Sequence, residues 1–296
     1  MKKTILITGS SSGFGKVIAK TLASAGHKIF ATMRGVEGKN KEVASELEVW
    51  AATNKADLEV VEMDILDDHS VNNAVKYALF TAGKLDVVIN NAGMLVFGIT
   101  EAFTPEQVMN VFNTNVVGAM RVNRAVLPHF RENHDGLIVY IGSVTSSIIS
   151  PFQGPYVASK SAEDKIAETT HYEVSRYGID SVIIQPGAYT SGTNHFPGAQ
   201  KPADEETVKA YSLIEELPGQ LVNNLQRIVE EGDEANVQDV ADAVLKTIDT
   251  PKGQREFRVV IDPQHHGAEP INEVVDKMQY DFMERIGISE LMKVKM

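Results

Sequence analysis

Tyr156 and Lys160 stand four residues apart in "YVASK" (156–160). On a helix that spacing puts the phenol and the ammonium side by side. A free phenol ionises near pH ~10 and is a poor base at neutrality, but a neighbouring cation favours its ionised form. Such a phenol can give or take the proton of a reacting oxygen. Ser143, just after the apolar run "LIVYIG" (137–142), can hydrogen-bond the same oxygen. Thr145, Ser146 and Ser147 offer competing hydroxyls in the same loop. A second Tyr-x-x-x-basic pair, Tyr172 with Arg176, lies farther along the same helical stretch.

A different chemistry is suggested by "TGSSSGFGK" (8–16), directly after the apolar "TILI". A P-loop needs four residues between its first glycine and Gly-Lys, then Ser or Thr to hold magnesium. Here five residues separate Gly9 from Gly15, and Val17 follows Lys16. The spacing suits a dinucleotide turn instead. Gly9 permits the tight turn, Gly13 lets the backbone approach a pyrophosphate, and Gly15 lets the helix pack on the strand. The pyrophosphate would face the free N–H groups at the helix start, leaving Lys16 on the helix surface. An oxidised nicotinamide would be the second cation beside Tyr156. Lowering the phenol by about 3 units takes roughly 4 kcal/mol of differential stabilisation.

These residues must be held by something, and the chain alternates strand-like and helix-like segments. β-rich runs occur at 3–8, 27–33, 58–64, 85–90, 137–142, 180–185 and 257–262. Between them lie helical patterns. One starts at Gly15 and ends at Gly26 as its cap; another opens at "TPEQ" (104–107) with the makings of a capping box. Nearly continuous apolar strands alternating with helices predict an α/β, Rossmann-like, doubly wound sheet of seven parallel strands, helices on both faces, with the ligand crevice at the C-terminal strand ends. The 296 residues fit a single domain (1–296), with an insertion near 191–235 and a helical tail near 264–296.

Composition narrows the function classes. A net charge of −12 disfavours nucleic acid and anionic membrane surfaces. The absence of cysteine removes disulfides, thiolate zinc sites and a thiol nucleophile. No run reaches the ~18 apolar residues of a membrane span, and the basic start "MKK" lacks a signal-peptide core. A cytoplasmic protein is expected. His265 and His266 lack partners at a recognisable metal spacing, so no metal site is expected.

The turn "TGSSSGFG", "NNAG" (90–93), Ser143, "YVASK" and "PG" (186–187) occur in the order and spacing of the short-chain dehydrogenases/reductases, which the chain resembles from about residue 3 to 190 and again from about 236. The resemblance implies Tyr156 as proton donor or acceptor, Ser143 as carbonyl polariser, and Lys160 as ribose anchor and pKa shifter. It also implies Asn115, within "NTNVVG", as the holder of a relay water. Cofactor contacts would come from Gly9, Ser11, Ser12, Gly13, Phe14, Gly15, Asn91, Ala92, Gly93, Pro186 and Gly187, along with Tyr156 and Lys160. Asn90 would line the crevice, and Asp64 and Ile65 would meet the adenine.

Cofactor choice is written at the end of the second strand, where an NAD site carries Asp or Glu. This chain has Thr32, Met33 and Arg34 there, a guanidinium suited to a 2′-phosphate, so NADP(H) is expected over NAD(H). Phe97, Ile149, Phe152, Tyr189 and Phe196 offer an apolar lining for a small carbonyl or alcohol substrate. Thr190, Ser191 and Thr193 are alternative contacts to the carboxamide. The 191–235 insertion, with Tyr211, Ile214, Leu217, Leu221, Leu225, Ile228 and Val229 in two amphipathic stretches, reads as a lid or as a fixed structural flap. A homodimer or homotetramer is implied by resemblance. The expected activity is NADP(H)-dependent interconversion of an alcohol and a ketone or aldehyde. The alternative is a catalytically silent regulator or scaffold on the same fold.

Overall fold

The computed structural model describes residues 1–231 and 235–296. Its strands are β1 (Thr4–Ile7), β2 (Lys28–Met33), β3 (Leu58–Glu62), β4 (Val87–Asn90), β5 (Gly136–Ile141), β6 (Ile179–Pro186) and β7 (Arg258–Ile261). They form one parallel sheet in the order β3-β2-β1-β4-β5-β6-β7, as the alternating pattern predicts. The chain winds outward from β1 to β3, then returns to place β4 on the other side of β1. That reversal opens a crevice beyond the C-terminal ends of β1 and β4.

The strands are apolar at nearly every position because both faces are covered. Ile5, Ile7, Ile29, Ile89 and Val139 pack under α1 (Gly13–Ser24) and α9 (Val237–Asp249), through Ile18, Leu22, Val240 and Val244. Leu6, Phe30, Val88, Ile138 and Tyr140 face the opposite layer, α3 (Asp68–Ala82) and α5 (Gly118–Asn133), through Val71, Val75, Val122, Val126 and Phe130. Successive residues of one strand thus serve two different cores. α2 (Lys41–Asn54) covers the β2–β3 edge with Ala44 and Leu47.

Helix ends follow the local chemistry closely. Thr104 and Gln107 form the expected capping box at α4 (Pro105–Phe112), with Pro105 in the first turn. α1 begins two residues before the expected Gly15, and its cap is Ala25, with Gly26 following at φ +91°. Between α4 and α5 the helix widens into a π-turn over Asn113–Val117. α6 (Gly154–Val174) carries the "YVASK" segment against β6.

Within the expected insertion, α7 (Glu205–Ala210) and α8 (Leu217–Glu231) form, and α8 lies beside the crevice. Residues 232–234 and the side chain of Val229, both part of that expectation, lie outside the described residues. The tail forms α10 (Ala268–Arg285), pinned by Asn272 donating to Gln185 at 2.7 Å and by the Asp276–Arg258 pair at 2.6 Å. Its other face leaves Val274, Met278 and Phe282 exposed. Among the described residues no helix is long and apolar enough to cross a membrane.

Candidate active site

A cleft of about 770 Å³ lies over the C-terminal ends of β1, β4 and β5. One wall is the glycine turn. Gly9 takes φ +69°, and a Cβ there would sit 2.8 Å from Cα of Ala92. At Gly15 a Cβ would meet the Gly9 carbonyl oxygen at 2.4 Å. The turn is clamped to the β4 loop: Asn91 Nδ2 donates to the carbonyls of Thr8 and Gly9, while Thr8 Oγ1 accepts from Asn91 and Ala92 backbone N–H groups. Ser12, at the head of α1, makes no capping side-chain bond among the described residues, and the first turn contains no acid. The N–H groups at that end therefore face the cleft ready for an anion. Lys16 is directed away, paired with Glu46 at 2.9 Å.

Ser11, Ser12, Gly13, Phe14, Arg34, Asp64, Ile65, Asn91, Ala92, Gly93, Pro186 and Gly187 all line this cleft with Gly9; Gly15 packs behind it. Asn90 is instead buried behind it, bonded to Asn123. Asp64 accepts from the Leu66 N–H, which fixes its carboxylate beside Ile65. At the β2 end, exposed Arg34 is joined by Lys39, a second cation on the cleft wall. Glu37, the first acid after Arg34 in sequence, pairs with Lys41. A nearer acid comes from β3: Glu62 accepts from the Gly35 and Val36 N–H groups at 2.7 and 2.8 Å. The β2–β3 register pairs Met33 with Glu62, which brings that carboxylate to the loop.

On the opposite wall, Ser143, Tyr156 and Lys160 come together. Ser143 leads the loop after β5, and its Oγ accepts from Thr145 N–H and hydroxyl. Of its competitors, Thr145 stays beside it in the cleft and the other two are occupied elsewhere. Ser146 serves Asp164 and Gln185, and Ser147 donates to Asn272. Tyr172 of the second Tyr-x-x-x-basic pair donates to Glu168, away from the cleft. Lys160 Nζ donates to the Ile141 carbonyl at 2.8 Å and to the Glu163 carboxylate at 2.7 Å, with both ends of the pair buried.

That pair adds an anion to the expected electrostatics. Burial raises the Tyr156 phenol above its ordinary value; Lys160 and Ser143 oppose this, and Glu163 reinforces it. The protein's own groups thus hold the phenol up. Burial by itself would depress Lys160, but Glu163 and Tyr156 outweigh that and hold the ammonium high.

Asn115 sits in the π-turn, and its side chain is fully engaged: Oδ1 accepts from Met94 N–H, while Nδ2 donates to the Met94 carbonyl and Ser159 Oγ. Its visible part is to tie the β4 loop to α6. Of the three hydroxyls after β6, Thr193 reaches the cleft, bonded to the Tyr189 carbonyl. Ile149, Tyr189 and Phe196 line the cleft as expected; Phe97 and Phe196 line a neighbouring cavity of about 400 Å³. Phe152 packs against Phe97 instead. Leu221 and Leu225 of α8 close the outer wall.

His195 carries no signal in the sequence. Its ring meets Tyr156 edge-on at 5.5 Å, with Nε2 3.4 Å from the phenol oxygen. Burial, with a smaller effect from Lys160, pushes its pKa down to about 4, so it is neutral at pH 7. His266, expected as a loop residue, pairs with Asp262 at 2.7 Å and also lines the cleft. No group of three or more metal-ligating side chains occurs among the described residues.

Residues 3–201 match the family model described as short chain dehydrogenase. The chain is 36% identical over 188 residues to a 3-ketodihydrosphingosine reductase of Bacteroides thetaiotaomicron, a match spanning 64% of each chain. A short-chain dehydrogenase structure from Streptomyces avermitilis superposes with TM-score 0.74 at 25% identity, covering 98% of both chains. A gluconate 5-dehydrogenase structure from Burkholderia cenocepacia, in complex with NADP and tartrate, gives TM-score 0.60 at 28% identity over 66% of this chain and 74% of that one. With residues 3–201 matched by that family model, the chain belongs to the short chain dehydrogenase family.

Proposed function

We propose that the chain is an oxidoreductase that uses a nicotinamide dinucleotide, NADP(H) in preference to NAD(H), to interconvert an alcohol and a ketone or aldehyde of largely apolar character. The observation that carries this reading is the convergence of Ser143, Tyr156 and Lys160 on a cleft whose other wall is an uncapped helix N-terminus. The cleft residues fit a dinucleotide: free N–H groups for the pyrophosphate, Asp64 and Ile65 for the adenine end, and Arg34 with Lys39 for a 2′-phosphate. A nicotinamide dinucleotide held there would supply or accept the hydride.

The chain's own residues handle the oxygen. Ser143 and Tyr156 hydrogen-bond the carbonyl, and Tyr156 Oη delivers the proton as the carbon accepts the hydride and the C=O π pair becomes an O–H bond. Lys160 would hold the ribose of the dinucleotide and stabilise the phenolate left at Tyr156. Ile149, Tyr189, Phe196, Leu221 and Leu225 exclude water and favour an apolar body. The relative named for 3-ketodihydrosphingosine supports a ketone substrate. We extend the proposal to the segment from 191 onward as a lid, since its helix α8 forms the outer cleft wall. Exposed Met109, Val117 and Met120 support self-association.

The test follows NADPH oxidation by the purified protein across apolar ketones, aldehydes and steroids. Wild type should turn over at least one class. Tyr156→Phe should lose turnover while binding NADPH within a few-fold. A variant retaining more than about a tenth of wild-type turnover would remove Tyr156 from the proton step.

A further inference from the structure

Lys160 enters the site already paired. Its ammonium lies 2.7 Å from the Glu163 carboxylate, one helical turn along α6, and both side chains are almost fully buried. A lone ammonium beside Tyr156 would project its whole charge onto the phenol. With an anion seated on it, the phenol sees a dipole, whose field falls off faster with distance than that of a single charge. Little water is available to screen either partner.

We propose that Glu163 is a built-in counter-charge that cancels the field of Lys160 at Tyr156, so that the site rests with a protonated phenol and is poised to donate its proton to a carbonyl. This deepens the oxidoreductase reading and rests on it for the direction of catalysis. Glu163 touches no reacting atom; it is a positioning residue that acts through Lys160.

The surroundings leave Glu163 this part. Besides Lys160 and Tyr156, the titratable groups facing it are Asp164 on α6 and Tyr140 on β5. Asp164 is answered by Arg258 at 2.8 Å, and Tyr140 accepts from Asn123 at 2.6 Å. On β6, Asp180 pairs with Arg255; on α4, Glu106 is exposed. Burial, helped by Asp164, raises the Glu163 carboxyl above its ordinary value, and Lys160 opposes this. His195, 3.4 Å from the phenol, is neutral at pH 7. With the 2.7 Å contact formed as an ion pair, Tyr156, Lys160 and Glu163 titrate as one unit without net charge. The next proton to leave must create a buried negative charge. Without Glu163 the same loss would only neutralise a buried positive one, and it would come more easily.

The experiment titrates the full-length protein labelled with ring-13C tyrosine, the Tyr156 resonance being assigned by its loss in Tyr156→Phe. In wild type the phenol should stay protonated through about pH 9. Glu163→Gln, nearly isosteric, should bring the midpoint down by at least about one pH unit, a tenfold shift in the ionisation constant, and the alkaline rise of alcohol oxidation should move with it. Glu163→Asp keeps the charge and should stay near wild type. An unchanged or raised midpoint in Glu163→Gln would overturn the proposal. So would a wild-type phenol that titrates near neutrality, a result that stands even if Glu163→Gln fails to fold. If the midpoint moves but no variant, wild type included, oxidises NADPH with any carbonyl, the counter-charge stands and the oxidoreductase reading falls. Turnover in wild type with an immobile midpoint overturns the counter-charge and leaves the oxidoreductase reading in place.

Discussion

Removing the guanidinium at the end of β2 tests the cofactor preference most directly. Arg34 is exposed at the cleft edge, with Lys39 beside it. A hydrogen bond to a charged group contributes about 1.5–3 kcal/mol. Solvent screening at this exposed site trims that to about 1–2 kcal/mol. Arg34→Ala should therefore weaken NADP binding roughly five- to thirtyfold and leave NAD binding within about twofold. The loop should keep its shape in the variant, because Glu62 holds the Gly35 and Val36 N–H groups and Asn40 donates to the Arg34 carbonyl, which survives the substitution. Lys39→Ala should add a smaller loss, and raising the salt should narrow the NADP advantage in wild type. Calorimetric titration of both cofactors against wild type and Arg34→Ala measures each quantity. A wild-type preference for NAD, or equal weakening of both cofactors in Arg34→Ala, would show that the guanidinium does not read a 2′-phosphate.

Other expectations are more local. Gly15→Ala drives a methyl to 2.4 Å from both the Gly9 carbonyl and Asn91 Nδ2; it should cost about 1–3 kcal/mol in urea unfolding and weaken both cofactors alike. Arg258 answers Asp164 and Glu168, both buried, and half-exposed Asp276. Arg258→Met strands those carboxylates and should destabilise the fold by about 3–5 kcal/mol, partly recovered at acid pH as they take up protons. His195 is depressed to about 4 from an ordinary 6.5, so the unfolded chain binds the extra proton between those values. Stability should fall as pH drops from 6.5 towards 4, by about 1–2 kcal/mol at pH ~5 given the partly exposed ring, and be indifferent above 6.5. Denaturation midpoints at pH ~7 and pH ~5 should show a smaller difference in His195→Phe than in wild type.

The sheet and the cleft were legible because their information is local. Apolar runs of strand length, the glycine spacing and the four-residue step from Tyr156 to Lys160 each need only a few neighbouring residues to be understood. Glu163 was in plain view three residues past Lys160, but an acid at that spacing is ordinary on a helix surface; only the packing of α6 against the sheet shows that the pair is buried. Glu62 reaches the Arg34 loop through the β2–β3 register, which no single segment encodes. His195 lies 39 residues from the phenol it meets, in an irregular loop without periodicity. The expected fall in the Tyr156 pKa counted Lys160 and an oxidised nicotinamide as two cations; the desolvation and the counter-anion that the fold supplies act against it.

The widened turn at Asn113–Val117 has a consequence for how this chain can change length. Each residue of an α-helix advances the facing direction by about 100°, so one extra residue in a turn shifts the phase of everything beyond it. Val111 before the π-turn, and Ala119, Val122, Val126 and Phe130 after it, are all buried, although they belong to differently phased stretches of one helical rod. Deleting a single residue from 113–117 would let the rod close into a regular helix. It would then rotate either the Met94-clasping Asn115 or the Val122–Phe130 stripe away from its partner. Within this stretch exposed Val117 should accept a change of side chain far more readily than the stretch accepts a change of length, while Asn115 stays fixed by its three hydrogen bonds.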